Sequence, residues 1–406
     1  MKKIFVFVFA IVCALGLVFA TSCFGEEEVK FDPVNKEDVK IGMICLHDLN
    51  STYDANFINS MYNALDNLGM TKDQLMLFTG IDESEDCYNK AVELAQTCNV
   101  VFADSFGHED FMIKAAKEYK NVRFCHATGE KAHLVNLANY SNAFASIYEG
   151  RFLAGVAAGM KLQEMNKDKA AEEQNWKMGY VGAYPYAEVV SGYTAFYLGA
   201  KYIAPDVTME VRYTSSWFDF AKEKAACEAL IASGCALISQ HADSMGAPET
   251  CESNGVPNVT YNGSTEKDCE KTYVVSSKID WAPYFEYMIN CVIEGKKIDT
   301  DWTGTIQTGS VKLDAVGAKA AAEGTQAKID EVKAKLLDGS LHVFDCNTWT
   351  VGGQKQTSVM ANVDFDKEYT PDHEAIKDGY FDESALRSAP YFEVRIDGIT
   401  EVSDNN

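Results

Sequence analysis

Five polar segments carry the side chains that could do chemistry. They read HDLNSTYDANF (47–57), DSFGHED (104–110), GAYP (182–185), SSWFD (215–219) and QHADS (240–244), with Asn262 and Trp281 further on. Phe57, Phe106, Trp217 and Trp281 offer flat faces for stacking, and Gly107 opens the backbone beside Phe106. Asp48 or Asn50, with Asp219, Asp243 and Asn262, supply oxygens and amides for hydrogen bonds. Rings set among acids and amides suit an uncharged, flat, hydrogen-bonding molecule. Covalent chemistry has less to stand on: His108 and His241 lie near acids and serines, which leaves room for a hydrolase, but no GxSxG elbow is present. The phosphate loop, GxGxxG and HExxH are also missing, and no Cys/His group has metal spacing, so neither a cofactor nor a metal is expected. Plainer roles compete at some positions: Ser51 or Asp54 can cap a helix, and Phe218 or Tyr193 can be core.

Each of these segments follows a short apolar run. Strands are predicted at 39–46, 75–78, 100–103 and 122–126, with helices at 56–68, 87–97 and 109–118 between them. A long helix at 146–160 holds Gly150, Gly155 and Gly159, a spacing suited to close helix packing. The rhythm then restarts, with strands at 176–181, 207–213, 236–240 and 258–261 and helices at 187–198, 219–233, 248–254 and 279–294. A further helix spans 315–338, and 344–406 reads as irregular strands and loops. Repeated strand–helix units in two halves make an α/β chain of two lobes, each a doubly wound, mostly parallel sheet. Ligands of such sheets sit at the carboxyl ends of the strands, where the polar segments fall.

The chain opens with Lys2 and Lys3, an apolar run over 4–20 and the small residues Ala20, Thr21 and Ser22 before Cys23. That is the layout of a secretory signal (1–22) ending in a lipidation site, with Cys23 as the acylated mature N-terminus. An acidic tether (23–38) follows. The leader holds two of the 36 basic residues and none of the 60 acidic ones, so the mature chain carries 34 against 60, or −26. Such a surface disfavours nucleic acid, anionic lipid and strongly anionic ligands. Ten further cysteines are scattered without a CxxC pair, several inside apolar runs, and read as free buried thiols; pairings such as Cys87 with Cys98 or Cys251 with Cys269 stay open.

Seven segments then carry a family resemblance. They are HDLNSTYDANF (47–57), FGHEDFM (106–112), YEGRFLAGVAAG (148–159), VGAYPYAEVVSGYTAFYLGA (181–200), WFDFAKEKAACEALIASGCALISQHADS (217–244), YNG (261–263) and WAPYF (281–285). Over about 39–313 the chain resembles the basic membrane protein (BMP) family of lipoprotein substrate-binding proteins. These serve ABC importers and are related to the purine nucleoside receptor. The resemblance implies a type I periplasmic-binding-protein fold with three hinge strands. It places lobe one at 39–145 and 277–300, and lobe two at 146–276 and 301–406. It implies a monomeric extracytoplasmic receptor, tethered to the membrane through lipid on Cys23. Such a receptor would bind a purine nucleoside or adenine-like base without turnover and dock on a permease with its ATPase.

By position, Asp48, Asn56 and Phe57 match the family's first ligand loop, with Phe57 as a stacking wall. Phe106 and Gly107 match the second loop, Trp217 the opposing ring with Asp219 beside it, and Asp243 the polar group under the base. Phe220, Ala242 and Met245 depart from the related pattern, and Asn262 stands where an acid is common, which brings a free base into view. A receptor that signals to a membrane partner, or one for a flavin or other aromatic heterocycle, fits the same residues.

Overall fold

The structure is a computed structural model that describes residues 29–363 and 373–402. The leader, Cys23 and the start of the tether lie outside the described residues. Strand β1 (Ile41–Ile44) is buried at all four positions. Unbroken burial is what a central parallel strand, covered on both faces, requires. Helix α1 (Thr52–Asn67) starts four residues earlier than the apolar spacing suggests, because the Ser51 hydroxyl caps it by accepting from the Asp54 amide at 3.2 Å. Its inward stripe is Phe57, Met61, Ala64 and Leu65. Strand β2 (Leu75–Phe78), α2 (Glu85–Ala95), β3 (Val100–Ala103), α3 (Glu109–Glu118), β4 (Arg123–Ala127), α4 (Ala132–Val135) and β5 (Tyr140–Ala145) complete the first run.

The chain crosses over in α5 (Ile147–Asn166) and builds a second lobe. Its elements are β6 (Lys177–Gly182), α6 (Ala187–Ile203), β7 (Thr208–Tyr213), α7 (Phe220–Ala232), β8 (Leu237–Gln240), α8 (Gly246–Asn254), β9 (Asn258–Tyr261) and β10 (Tyr273–Ile279). Helix α9 (Ala282–Ile293) and β11 (Asp301–Gly304) return to the first lobe; β12 (Val311–Leu313) and α10 (Thr325–Leu337) follow. Two short ribbons, β13 (Met360–Ala361) with β14 (His373–Glu374) and β15 (Ile376–Lys377) with β16 (Tyr380–Phe381), precede β17 (Ile399–Val402).

The first sheet runs β2-β1-β3-β4-β5-β11 and is parallel throughout. The second runs β17-β7-β6-β8-β9-β10-β12, with β12 alone antiparallel to its neighbour. The chain therefore has the two-lobed, doubly wound α/β architecture expected from the sequence. Two glycines make the α5–α6 contact possible: a Cβ on Gly155 would lie 2.0 Å from the Phe196 carbonyl, and one on Gly199 2.0 Å from that of Phe152.

The chain passes between lobes three times, at 145–146, 280–281 and 305–310. These crossings are tied together, Ser146 N donating to Gly304 O at 2.8 Å and Asp280 N to Ser310 O at 2.6 Å. The sequence-based lobe boundaries need two corrections. Residues 277–279 end β10 of the second sheet, held by pairing with β9 and β12. Residues 301–304 are β11, which pairs with β5 in the first sheet. The C-terminal part divides its contacts: β17 extends the second sheet, while Arg387 and Ser388 bond Glu130 and Asp301 of the first lobe. Among the described residues no helix is long and apolar enough to cross a membrane.

Candidate functional site

The carboxyl ends of both sheets face one narrow cavity between the lobes. From the first lobe, Leu46 and His47 follow β1, Ser105 and Phe106 follow β3, and Thr128 follows β4, while Tyr53 and Asp54 sit in the first turn of α1. From the second lobe, Glu188 opens α6, Trp217 follows β7, His241 and Asp243 follow β8, and Asn262 follows β9. This is the placement a doubly wound sheet gives its ligands. Thr128 and Asn262 both hold positive φ, at 62° and 65°. For a β-branched threonine that backbone is strained, and strain of this kind gathers at functional sites.

The lobes close on each other around the cavity. Thr52 N donates to Asp243 O at 3.1 Å across the gap. Rings meet on both sides: His47 lies 5.2 Å from Phe218, and Phe106 stacks on Tyr186 at 5.4 Å. Trp217 is braced edge-on by Tyr184 at 5.1 Å. None of the cavity-lining residues is Lys or Arg, and three are carboxyls, Asp54, Glu188 and Asp243.

These three acids are not equivalent. Burial pushes the Asp243 carboxyl well above its usual range, reinforced by the charges of Glu223, Asp54 and Glu188, and only the Asn262 amide, 3.4 Å away, opposes this. Burial thus favours its protonated form, which can both donate and accept. Burial also works against Asp54, but hydrogen bonds from His47, Ser51 and Asp104 outweigh it and hold that carboxyl below the usual range. Its oxygens accept from His47 N at 2.7 Å and Ser51 Oγ at 2.5 Å.

Glu188 is oriented by a relay from the core. Buried Arg151 donates to Tyr180 Oη at 2.9 Å, and Tyr180 stands 3.3 Å from His241 Nδ1. With Tyr180 Oη accepting from Arg151 it donates to Nδ1, so Nε2 carries the proton and donates to Glu188 Oε1 at 3.4 Å. Burial lowers the His241 pKa. His108 is engaged elsewhere: its Nε2 bonds the Ile81 carbonyl at 2.9 Å, and burial brings its pKa down to about 4.

Among the described residues one group could hold a metal. Cys45, Asp54 and Asp104 bring ligand atoms within 4.8 Å of one another beneath the cavity. Burial raises both the Cys45 thiol and the Asp104 carboxyl, so neither ionises readily, and the cluster suits proton sharing better than a cation. The ten described cysteines are all buried and free, Cys227 and Cys251 lying 3.6 Å apart at sulfur.

Four sequence-predicted site residues line the cavity: Phe106, Trp217, Asp243 and Asn262. The other six lie outside it. Phe57 and Trp281 are 0 and 1 % exposed and stack on each other in the first lobe, because Phe57 lies on the inward stripe of α1. Asp48 is exposed and closes a local turn, accepting from the Asn50 amide and side chain at 2.9 Å. Asn56 donates to Ile279 O at 2.6 Å, linking α1 to β10. Gly107 N donates to Glu83 Oε1 at 2.8 Å, and a Cβ there would strike Glu83. Asp219 caps α7, accepting from Lys222 N at 3.0 Å. Sequence reasoning passed over Thr128, which closely follows a predicted strand end, and Glu188, in the first turn of a predicted helix.

The chain matches the family model for PnrA-like ABC transporter substrate-binding proteins over residues 41–341. It is 30 % identical to a purine-binding protein of Brucella abortus, over 79 % of this chain and 89 % of that one. It is 32 % identical to a Haloferax volcanii protein named for ABC transporter glucose binding, over 61 % of this chain and 59 % of that one. A solute-binding protein of an ABC transporter system from Conexibacter woesei shares its fold. The TM-score is 0.58 at 19 % identity, over 75 % of this chain and 98 % of that one.

Proposed function

The chain belongs to the family of PnrA-like ABC transporter substrate-binding proteins, and from that premise we propose that it captures an adenine-type purine, as base or nucleoside, and hands it to a membrane permease. As a substrate-binding protein its partners are a small solute and the permease with its ATPase. The observation that carries the purine reading is the inter-lobe cavity itself, where Trp217 and Phe106 supply rings and burial favours the protonated form of Asp243. A flat base between such rings gains about 1–3 kcal/mol from stacking. A neutral carboxyl matches an adenine edge, because it donates to a ring nitrogen while accepting from the exocyclic amine. A guanine edge presents two donors and calls for a charged carboxylate instead.

Contacts made to both lobes at once favour the closed form, and a closed form of this kind is what the permease would receive. The acids of the cavity and its lack of cations argue against a nucleotide. No covalent step is needed, so the ligand leaves unchanged. Export, monomeric state and anchoring through lipid on Cys23 complete the reading.

Native mass spectrometry of the purified full chain tests it, since closed receptors carry over what they bound. A retained purine, with calorimetric binding of adenine or adenosine in the micromolar range or tighter, is the expected result. The glucose-named relative makes glucose the natural competitor: glucose binding with no purine binding would overturn the proposal. Incubation with adenosine followed by chromatography should return adenosine; release of adenine would point to a hydrolase.

A further inference from the structure

The family match ends at residue 341, and the chain continues beyond it into a segment that touches both lobes. Its root is in the second lobe. Strand β17 lies parallel to β7 at the edge of the second sheet, and Glu401 accepts from Tyr193 Oη of α6 at 2.6 Å and from Tyr213 Oη of β7 at 2.8 Å. Phe344 lies against Tyr148 of α5, with ring centroids 5.4 Å apart, and stacks on Phe392 at 4.3 Å. Buried Glu383 accepts from Ser191 Oγ of α6 at 2.6 Å and from Phe392 N at 3.0 Å. Residues 383–392 are therefore a loop pinned to the second lobe at both ends.

The tip of that loop reaches the first lobe. Arg387 Nη2 donates to Glu130 Oε1 at 2.7 Å, both side chains at most 6 % exposed. Ser388 Oγ donates to Asp301 Oδ1 of β11 at 2.8 Å. The guanidinium is held ready for its partner, because it also donates to the carbonyls of Val363, Ala389 and Pro390 at 3.0, 3.2 and 2.8 Å. A donor fixed in this way loses little freedom when it meets its acceptor. Burial lifts the Glu130 carboxyl to about 8, with the Arg387 charge opposing it. Arg387 is charged whichever form Glu130 takes, so the bond is charge-assisted.

Glu130 follows β4 closely, at the carboxyl end of the first sheet, and nearby Thr128 lines the ligand cavity. Opening the cleft moves that end away from the second lobe, so it must draw Glu130 off Arg387. We propose that the C-terminal segment is a latch. Rooted in the second lobe, it grips the first through Glu130 and Asp301 and holds the receptor closed before any ligand arrives. Part of the closing free energy then comes from the chain itself, and the ligand has less to supply. The latch would serve any solute of this cleft; only the affinity part of its test rests on the purine reading above.

Small-angle X-ray scattering of the full chain, dialysed free of ligand, tests the latch whatever the cleft binds. Wild type should scatter as the closed form, with a radius of gyration that adenine leaves unchanged. Glu130→Met removes the acceptor and leaves the loop's own bonds in place. It should scatter as a larger particle, shrink to the wild-type radius when adenine is added, and bind adenine at least tenfold more weakly by calorimetry. Glu130→Gln keeps an oxygen for Arg387, so it should scatter like wild type and bind adenine within about threefold of it. Ser388→Ala loses the neighbouring tie and should move the same way as Glu130→Met by a smaller amount. A ligand-free wild type that is already open would overturn the latch. So would a folded Glu130→Met protein as compact as wild type or, where that variant does not fold, an unmoved Ser388→Ala. Scattering as expected with no purine bound would leave the latch standing and overturn the purine reading instead.

Discussion

The Phe57–Trp281 and Phe106–Tyr186 pairs are both stacked, with centroids 4.4 and 5.4 Å apart and planes 24° and 29° from parallel. Phe57 and Trp281 lie within one lobe and are almost sealed from solvent, packed around by Phe102, Phe144, Tyr284 and Phe285. Phe106 and Tyr186 come from different lobes, and Tyr186 is 42 % exposed. The difference lies in what carries each ring. Phe57 is on the inward stripe of a helix, nearly two turns past its cap, whereas Phe106 opens a short 3-10 turn just after a strand. Stacking alone does not mark a ligand site; the ring must also stand where the two lobes meet.

The largest effect that could break this comparison is on folding. Phe57→Ala should cost about 3–5 kcal/mol, the usual penalty for an aromatic removed from a sealed core. Urea denaturation would read it. A loss under 1 kcal/mol with a large loss of purine affinity would mean that Phe57 faces the ligand after all. The mirror experiment is Trp217→Ala. Trp217 is half-buried at the cavity wall, so stability should change little while purine binding weakens at least tenfold, about 1.4 kcal/mol. An unchanged dissociation constant would remove Trp217 as a stacking wall.

The same contrast explains how far the sequence could be read. Strands β2 and β3 and helix α3 match their predicted bounds, because each is a clear apolar run or a clear helical stripe. Strands β5, β10, β11 and β12 went unread. β5 carries Ser141 and Asn142 and β10 carries Ser276 and Ser277, polar residues that look like loop. Their polarity is satisfied at long range: Asn142 donates to Glu109 Oε1 at 3.1 Å, and Ser277 Oγ accepts from Arg151 at 3.3 Å. Missing β10 and β11 is also what displaced the lobe boundaries. Among the site residues, Phe106, Trp217, Asp243 and Asn262 were legible because they follow strands, although Trp281 follows β10 as closely and is core. Asp48, Asn56, Phe57 and Asp219 were misplaced because only the turn and cap geometry around them says which way each points.

A third test concerns Asp219, two residues from Trp217 yet tied to helix geometry. Asp219→Ala removes a cap from α7 and should cost about 1 kcal/mol of stability. Purine affinity should stay within about twofold of wild type, read by calorimetry on the same preparation. A tenfold loss of affinity at unchanged stability would extend the ligand site to the start of α7 and blur the line between wall and scaffold.

The smallest effect probes the proton on Asp243. Its carboxyl is raised well above the ordinary value of 3.8 by burial and by neighbouring acids. A raised carboxyl contributes stability that is complete below its unfolded value and is lost as pH rises through the folded one. Binding should follow the same sense. The neutral acid donates to an adenine ring nitrogen; the ionised form cannot, and it would face that nitrogen with a second lone pair. Adenine affinity should therefore fall as pH rises through the folded value, by about two- to fivefold if one net hydrogen bond of about 0.5–1 kcal/mol is lost. Asp243→Asn keeps a donor and an acceptor but has no proton to lose, so it should bind adenine with a flat pH profile. Calorimetry from pH 5 to 9 on both proteins would decide. If wild-type affinity for adenine rose with pH, the ionised carboxylate would be the binding form, and a donor-rich edge such as guanine would become the better partner for this side of the cleft.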